Sequence, residues 1–174
     1  SAKNLLLWKE EQLNKGGDVN SLNLLIDAVG GITISELNLL KLKSEEPLYL
    51  KTNLELLESI WEKHVFSFVP IQHLCNCAYW RDLTLKVSHT VLIPRPETEI
   101  IVDIVQKIYN KDSNEVFFAE LGTGSGAISI SLAIANPSWY GIATDIDKSA
   151  IDIAKENFIN SSNQNNLRFC EGDW

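Results

Sequence analysis

Three glycines at alternate positions, Gly122, Gly124 and Gly126, stand between an apolar run and a stretch with helical character. No other feature constrains the chain as much. Residues 115–121 (Glu-Val-Phe-Phe-Ala-Glu-Leu) have the composition of a strand, and Ala127–Ala135 that of a buried helix. Glycine permits the tight turn between them and lets a ligand come close to the backbone. The helix that follows offers unpaired N–H groups to a carboxylate or a phosphate. The same rhythm then repeats. A strand is predicted over Trp139–Thr144, a helix over Lys148–Asn160 with Ile151, Ala154 and Phe158 inward, and a third strand over Leu167–Cys170. Strands that alternate with helices at this spacing predict parallel βαβ units. Residues 161–166 read as a polar loop, and Asn136-Pro137-Ser138-Trp139 as a turn.

The first 75 residues read differently, as a small bundle of short helices. Leu5, Leu6, Trp8 and Leu13 form one stripe, ended by Gly16-Gly17. Leu22, Leu25, Ile26 and Val29 form a second, ended by Gly30-Gly31. Ser35 with Leu37, Leu39 and Leu40 suggests a third helix, closed before Pro47. Thr52-Asn53-Leu54-Glu55 has the form of a capping box, with Leu54, Leu57, Trp61 and Val65 on the face behind it. Between residues 76 and 95, Leu83, Leu85 and Val87 alternate with Thr84, Lys86 and Ser88, and Arg81-Asp82 can turn the chain back to Tyr79-Trp80. This predicts a β-hairpin linker. Pro96 then suits a first helical turn, Glu97 and Glu99 suit the positive end of the helix dipole, and Ile100, Ile101, Ile104, Val105 and Ile108 are predicted to be the buried face. The domains so drawn are residues 1–75, 76–95 and 96–174.

Charge and composition narrow the partners. The net charge of −8 disfavours a polyphosphate backbone, so direct nucleic-acid binding is not expected. No apolar stretch is long enough to span a bilayer, and no membrane partner is expected. Three cysteines with no scaffold spacing suggest a reducing, cytoplasmic setting. His73, Cys75 and Cys77 are separated by single residues, unlike the gaps of zinc knuckles, so no metal site is assigned. His64 and His89 have no paired acid or nucleophile in sequence.

Two ligand classes compete for the glycine loop. Gly122-x-Gly124-x-x-Ala127 satisfies the loose dinucleotide fingerprint of an oxidoreductase. Glu120, however, would repel a pyrophosphate and can face the ammonium of a methionine moiety, directly or through water. Glycine at 126 gives the Gly-x-Gly-x-Gly spacing of methyltransferases. Asp145, ending the second strand, can accept from both hydroxyls of a ribose; this is common to both classes. The balance favours S-adenosylmethionine, and an α/β fold holding the N-terminal half of a Rossmann-like class I methyltransferase sheet.

Val91-Leu-Ile-Pro-Arg-Pro-Glu-Thr-Glu99, Glu120-Leu-Gly-Thr-Gly-Ser-Gly-Ala127 and Gly172-Asp173-Trp174 together resemble the HemK/PrmC family of protein-(glutamine-N5) methyltransferases, which act on peptide chain release factors. The resemblance implies that Glu120, Gly122, Thr123, Gly124, Ser125 and Gly126 hold the methionine end of the cofactor. It implies that Asp145 holds the ribose, that Trp174 lies by the adenine, and that Arg95 and Glu97 shape the substrate mouth. The partners implied are class 1 release factors, through their Gly-Gly-Gln loop. Asn76 and Asp82 stand where the family has glycine, both in turns, and Glu120 replaces the commoner aspartate. The family's catalytic Asn-Pro-Pro-Tyr does not occur in residues 1–174. No catalytic residue is therefore assigned, and the chain is expected to be a truncated methyltransferase that does not turn over alone. Two other readings are an adenine-N6 nucleic-acid methyltransferase, which shares the glycine loop, and a non-enzymatic protein-docking fragment built on the helical domain.

Overall fold

The computed structural model describes residues 1–40, 47–109, 115–162 and 164–173. The chain divides into two compact units, Ser1–Cys75 and Asn76–Trp174.

The first unit is helical: α1 (Ala2–Lys15), α2 (Val19–Ala28), α3 (Ile34–Leu40), α4 (Leu54–Ser67) and α5 (Ile71–Cys75). Leu5, Gln12, Leu22, Leu25, Ile26, Leu57, Trp61 and Ile71 are among its fully buried side chains. Trp61 is anchored by its indole N–H, which donates to the carbonyl of Gln12 at 3.1 Å. Gly17 lies under its ring, where a Cβ would come within 2.6 Å of it. The cap of α4 falls one residue later than the sequence suggests. Asn53 is the N-cap, its Oδ1 accepting from the Leu56 amide at 2.9 Å; asparagine outranks threonine at such a position. A reciprocal capping box lies instead at α3. There the Thr33 hydroxyl accepts from the Glu36 amide at 3.2 Å, and the Glu36 carboxylate accepts from the Thr33 amide at 2.8 Å.

The second unit begins with the hairpin, β1 (Cys77–Trp80) and β2 (Leu83–Lys86), antiparallel and joined through Arg81-Asp82. Asn76 has φ +51°, as its place at a glycine-like turn suggests. In the hairpin turn the left-handed residue is Arg81, φ +52°, rather than Asp82. Arg81 is held there by Asp103, 2.8 Å from its guanidinium, and by Glu99, whose carboxylate accepts from the Arg81 amide at 3.2 Å. Pro96–Thr98 form a single 3-10 turn with Pro96 at its start, and α6 (Glu99–Ile108) follows.

The buried face of α6 corrects the sequence reading. Val102 is buried and Val105 packs beside it, in the cluster of Trp80, Leu85, Leu132 and Trp139. Ile100, Ile101, Ile104 and Ile108 are exposed, from 43% to 67%. The apolar residues of this helix form one wide arc opposite Glu99, Asp103, Gln106 and Lys107, so periodicity gives the arc but not which edge of it is covered. Contact with α7 decided it.

The sheet is a parallel three-stranded one in the order β3 (Phe117–Leu121), β4 (Tyr140–Asp145), β5 (Leu167–Glu171), with Phe117 opposite Tyr140 and Gly141 opposite Leu167. The connections are α7 (Ala127–Ala135) and α8 (Lys148–Ser161). The α/β reading thus holds, as a partial parallel sheet. Side chains alternate across a strand. One set, including Ala143 and Leu167, packs with Ile130, Ala133 and Phe158 of the helices. The other set, including Phe117, Leu121, Tyr140 and Ile142, is exposed. Among the described residues β3 pairs only with β4. Asn136–Trp139 is a turn, closed by the Trp139 amide donating to the Asn136 carbonyl at 2.9 Å. Among the described residues no helix is long and apolar enough to cross a membrane.

Candidate functional site

The glycine loop leaves the carboxyl end of β3 and enters α7. Gly122, Gly124 and Gly126 all have positive φ, +74°, +55° and +82°. Their surroundings separate them. A Cβ at Gly122 or Gly124 would meet nothing within 4 Å, so these two border open space. A Cβ at Gly126 would lie 2.7 Å from Ile130 Cδ1 and 3.1 Å from Ala154 Cβ, so Gly126 is where α7 and α8 pack closely. The loop is tied down between these points. The Thr123 amide donates to the Thr144 carbonyl at 2.8 Å, and the Gly126 amide to the Thr123 carbonyl at 2.9 Å.

Two carboxylates hold the loop. Asp145, the last residue of β4, accepts from the Gly124 amide at 2.9 Å through Oδ2 and from the Asp147 amide at 3.0 Å through Oδ1. A carboxylate has about four acceptor positions, so each oxygen retains one for a hydroxyl. Glu120, on β3, points beneath the loop. Its Oε2 accepts from the Thr123 hydroxyl at 2.6 Å and from the Ser129 amide at 3.1 Å. Thr123 and Ser129 are themselves buried. Burial pushes the Glu120 carboxyl above the ordinary glutamate range; the donors from Thr123 and Ser129 oppose this, and the charge of Asp145 adds to it. Glu120 therefore organises the loop through donors that its sequence position does not reveal.

The other residues singled out from sequence lie as follows. Thr123 and Ser125 are buried within the loop. Arg95 and Glu97 are exposed, in and just before the 3-10 turn; the Arg95 carbonyl accepts from the Trp80 indole N–H at 3.1 Å. Trp174 lies outside the described residues. The structure thus brings Glu120, Thr123, Gly124 and Asp145 together, and keeps Arg95 in contact with the hairpin. Asn157 was missed. It is buried on α8 and its side-chain amide reaches Ser125 of the loop. A polar residue one position before the inward Phe158 was its only sequence signal. Among the described residues no group of three His, Cys, Asp or Glu side chains is placed to hold a metal ion.

The family described as ribosomal protein L11 methyltransferase matches residues 95–171. The release factor glutamine methyltransferase of Prochlorococcus marinus is 39% identical over 175 residues, covering 100% of this chain and 60% of that protein. That of Gloeobacter violaceus is 32% identical over 171 residues, covering 96% of this chain and 58% of the relative. Among solved structures, the delta-N METTL16 MTase domain aligns over 53% of this chain and 44% of its own, at 25% identity and a TM-score of 0.46. Along nearly its whole length the chain is similar to proteins named release factor glutamine methyltransferase, and it spans about three fifths of theirs.

Proposed function

We propose that residues 1–174 provide the cofactor cradle of an S-adenosylmethionine-dependent methyltransferase of the HemK/PrmC kind. Its acceptor is the side-chain amide nitrogen of a glutamine, in the Gly-Gly-Gln loop of class 1 peptide chain release factors in the cytoplasm. One observation carries the reading: Gly122 and Gly124 border open space beside the Asp145 carboxylate, with a second carboxylate, Glu120, underneath.

The residues fit the group. Asp145 keeps acceptor capacity for the two hydroxyls of a ribose, with the Gly124 amide already fixing the orientation of its carboxylate. Gly122 and Gly124 leave room for a methionine moiety against the backbone. Glu120 supplies negative charge for its ammonium. When bound, the cofactor supplies an electrophilic methyl on a sulfonium. What this chain contributes is position: the tied loop removes the freedom that would otherwise oppose an in-line approach by the acceptor. An amide nitrogen is a weak nucleophile, because its lone pair is shared with the carbonyl, so orientation matters more here than a strong base. Arg95 and Glu97 border the mouth through which the acceptor enters. The net charge of −8 supports a protein acceptor over a nucleic acid.

Calorimetry of the chain with S-adenosylhomocysteine and, separately, with NAD tests the cradle. Binding of the first and not the second is expected; the reverse would overturn the reading in favour of a dinucleotide. Methyl-labelled cofactor with full-length protein tests the acceptor. Label should enter a release factor and not DNA, and purified 1–174 should transfer none.

A further inference from the structure

Asn157 is 1% exposed, and its amide makes three hydrogen bonds, all to backbone outside its own helix. Oδ1 accepts from the Lys86 amide at 2.7 Å, while Nδ2 donates to the Lys86 carbonyl at 3.0 Å and to the Ser125 carbonyl at 2.9 Å. One carbonyl and two N–H groups are the main capacity of an asparagine side chain, and all are used. Asn157 therefore caps the open end of the hairpin, where Lys86 pairs with Cys77, and joins it to the glycine loop. The turn end is fixed elsewhere. Trp80, 1% exposed, donates to the Arg95 carbonyl at 3.1 Å, and Arg81 reaches Glu99 and Asp103. Four residues per strand make the hairpin about 13 Å long, at the usual rise per residue.

We propose that the β1–β2 hairpin is a spacer that sets the position of the Arg95–Glu99 segment relative to the glycine loop, with Asn157 and Trp80 as its positioning residues. This rests on the reading of the loop as the cofactor cradle and of Arg95 and Glu97 as the acceptor mouth. Packing alone does not require asparagine at 157: an apolar residue fills a helix–strand contact as well, but leaves two carbonyls and one amide without partners. The two ends have separable consequences. Freeing the Ser125 carbonyl disturbs the cofactor side, and freeing the Arg95 carbonyl disturbs the acceptor side.

The test uses the full-length protein, with N157D and W80F compared with the unmodified protein. S-adenosylhomocysteine affinity is measured by calorimetry, and KM and kcat with a release factor as acceptor. The carboxylate in N157D still accepts from Lys86 but faces two carbonyls it cannot satisfy, so affinity should fall by about tenfold. W80F should keep S-adenosylhomocysteine affinity within about twofold, raise KM for the release factor by about fivefold and leave kcat at saturation unchanged, as a displaced binding contact does. An N157D protein that melts cooperatively and binds S-adenosylhomocysteine like the parent would overturn the spacer alone. So would a W80F protein whose cofactor affinity falls as far as its KM rises; this variant decides the matter if N157D does not fold. An unmodified protein that does not bind S-adenosylhomocysteine would overturn the cofactor reading and the spacer with it.

Discussion

Gly124→Ala and Gly126→Ala should behave in opposite ways, although the two glycines stand two residues apart in one motif. Both have positive φ, +55° and +82°. Alanine in the left-handed region costs about 1–2 kcal/mol, and because both variants bear this cost it cancels in their comparison. What remains is contact. At 124 the new methyl meets nothing within 4 Å. At 126 it comes within 2.7 Å of Ile130 Cδ1, which must shift, and 3.1 Å of Ala154 Cβ, which has no side-chain torsion to turn away; both side chains are fully buried. Forcing a methyl into a closed core typically costs about 1–3 kcal/mol, so Gly126→Ala should be less stable than Gly124→Ala by that amount. Urea unfolding with a common m-value gives the difference directly. Calorimetry should show the converse pattern, with S-adenosylhomocysteine affinity lost in Gly124→Ala, whose methyl occupies the proposed cradle. Equal unfolding free energies for the two variants would refute the assignment of Gly126 to packing and Gly124 to the ligand.

Other substitutions test the carboxylates and the turns. Glu120→Gln keeps an oxygen to accept from Thr123 and Ser129 while removing a partly buried charge; at pH 7 its Tm should equal or exceed that of the parent while S-adenosylhomocysteine binds more weakly. The pH dependence follows from the direction of the shift. The folded state holds the Glu120 proton more tightly than the unfolded chain, so this group favours folding most at pH below 4.5 and loses that contribution as pH rises from there through its raised folded pKa. The stability advantage of Glu120→Gln over the parent should therefore grow across that window, and an advantage that shrinks would contradict the partly buried placement of Glu120. Asn166→Asp should cost about 3 kcal/mol or more in chemical denaturation, because the buried Nδ2 donates to the Ala133 and Trp139 carbonyls, both at 3.0 Å, and a carboxylate there would face oxygen atoms. Arg81→Gly removes a partly exposed ion pair, worth about 0–1 kcal/mol, and relieves a left-handed residue, worth about 1–2 kcal/mol; its Tm should not fall, and a clear loss would show that Arg81 contributes more through Glu99 and Asp103 than a surface pair does.

Local features of the sequence determined the order of elements in the second unit. Helix α7 spans Ala127–Ala135, as its composition and the preceding glycines predict, and the three strands of the sheet begin and end within two residues of their predicted bounds. The hairpin register follows from the two-residue Arg81-Asp82 turn and the period-two alternation of Leu83, Leu85 and Val87. These features depend on backbone preferences and nearest neighbours, which a single stretch of sequence carries. Features that depend on contacts between distant residues were not legible. Which arc of α6 is buried was decided by Trp80, Leu132 and Trp139, about 20 to 40 residues away along the chain. The position of Glu120 before the glycines suggests a carboxylate that faces a ligand, but not that one of its oxygens also accepts from Thr123 and Ser129 once α7 folds back over β3. The role of Asn157 is not legible because its partners, Lys86 and Ser125, are 71 and 32 residues distant. The glycine motif itself divides in the same way: the sequence determined that three positions need left-handed backbone freedom, while only the packing of Ile130 and Ala154 reserved Gly126 for the core and left Gly122 and Gly124 open to a ligand. A turn is local, but what fills the space beside it is a property of the whole fold.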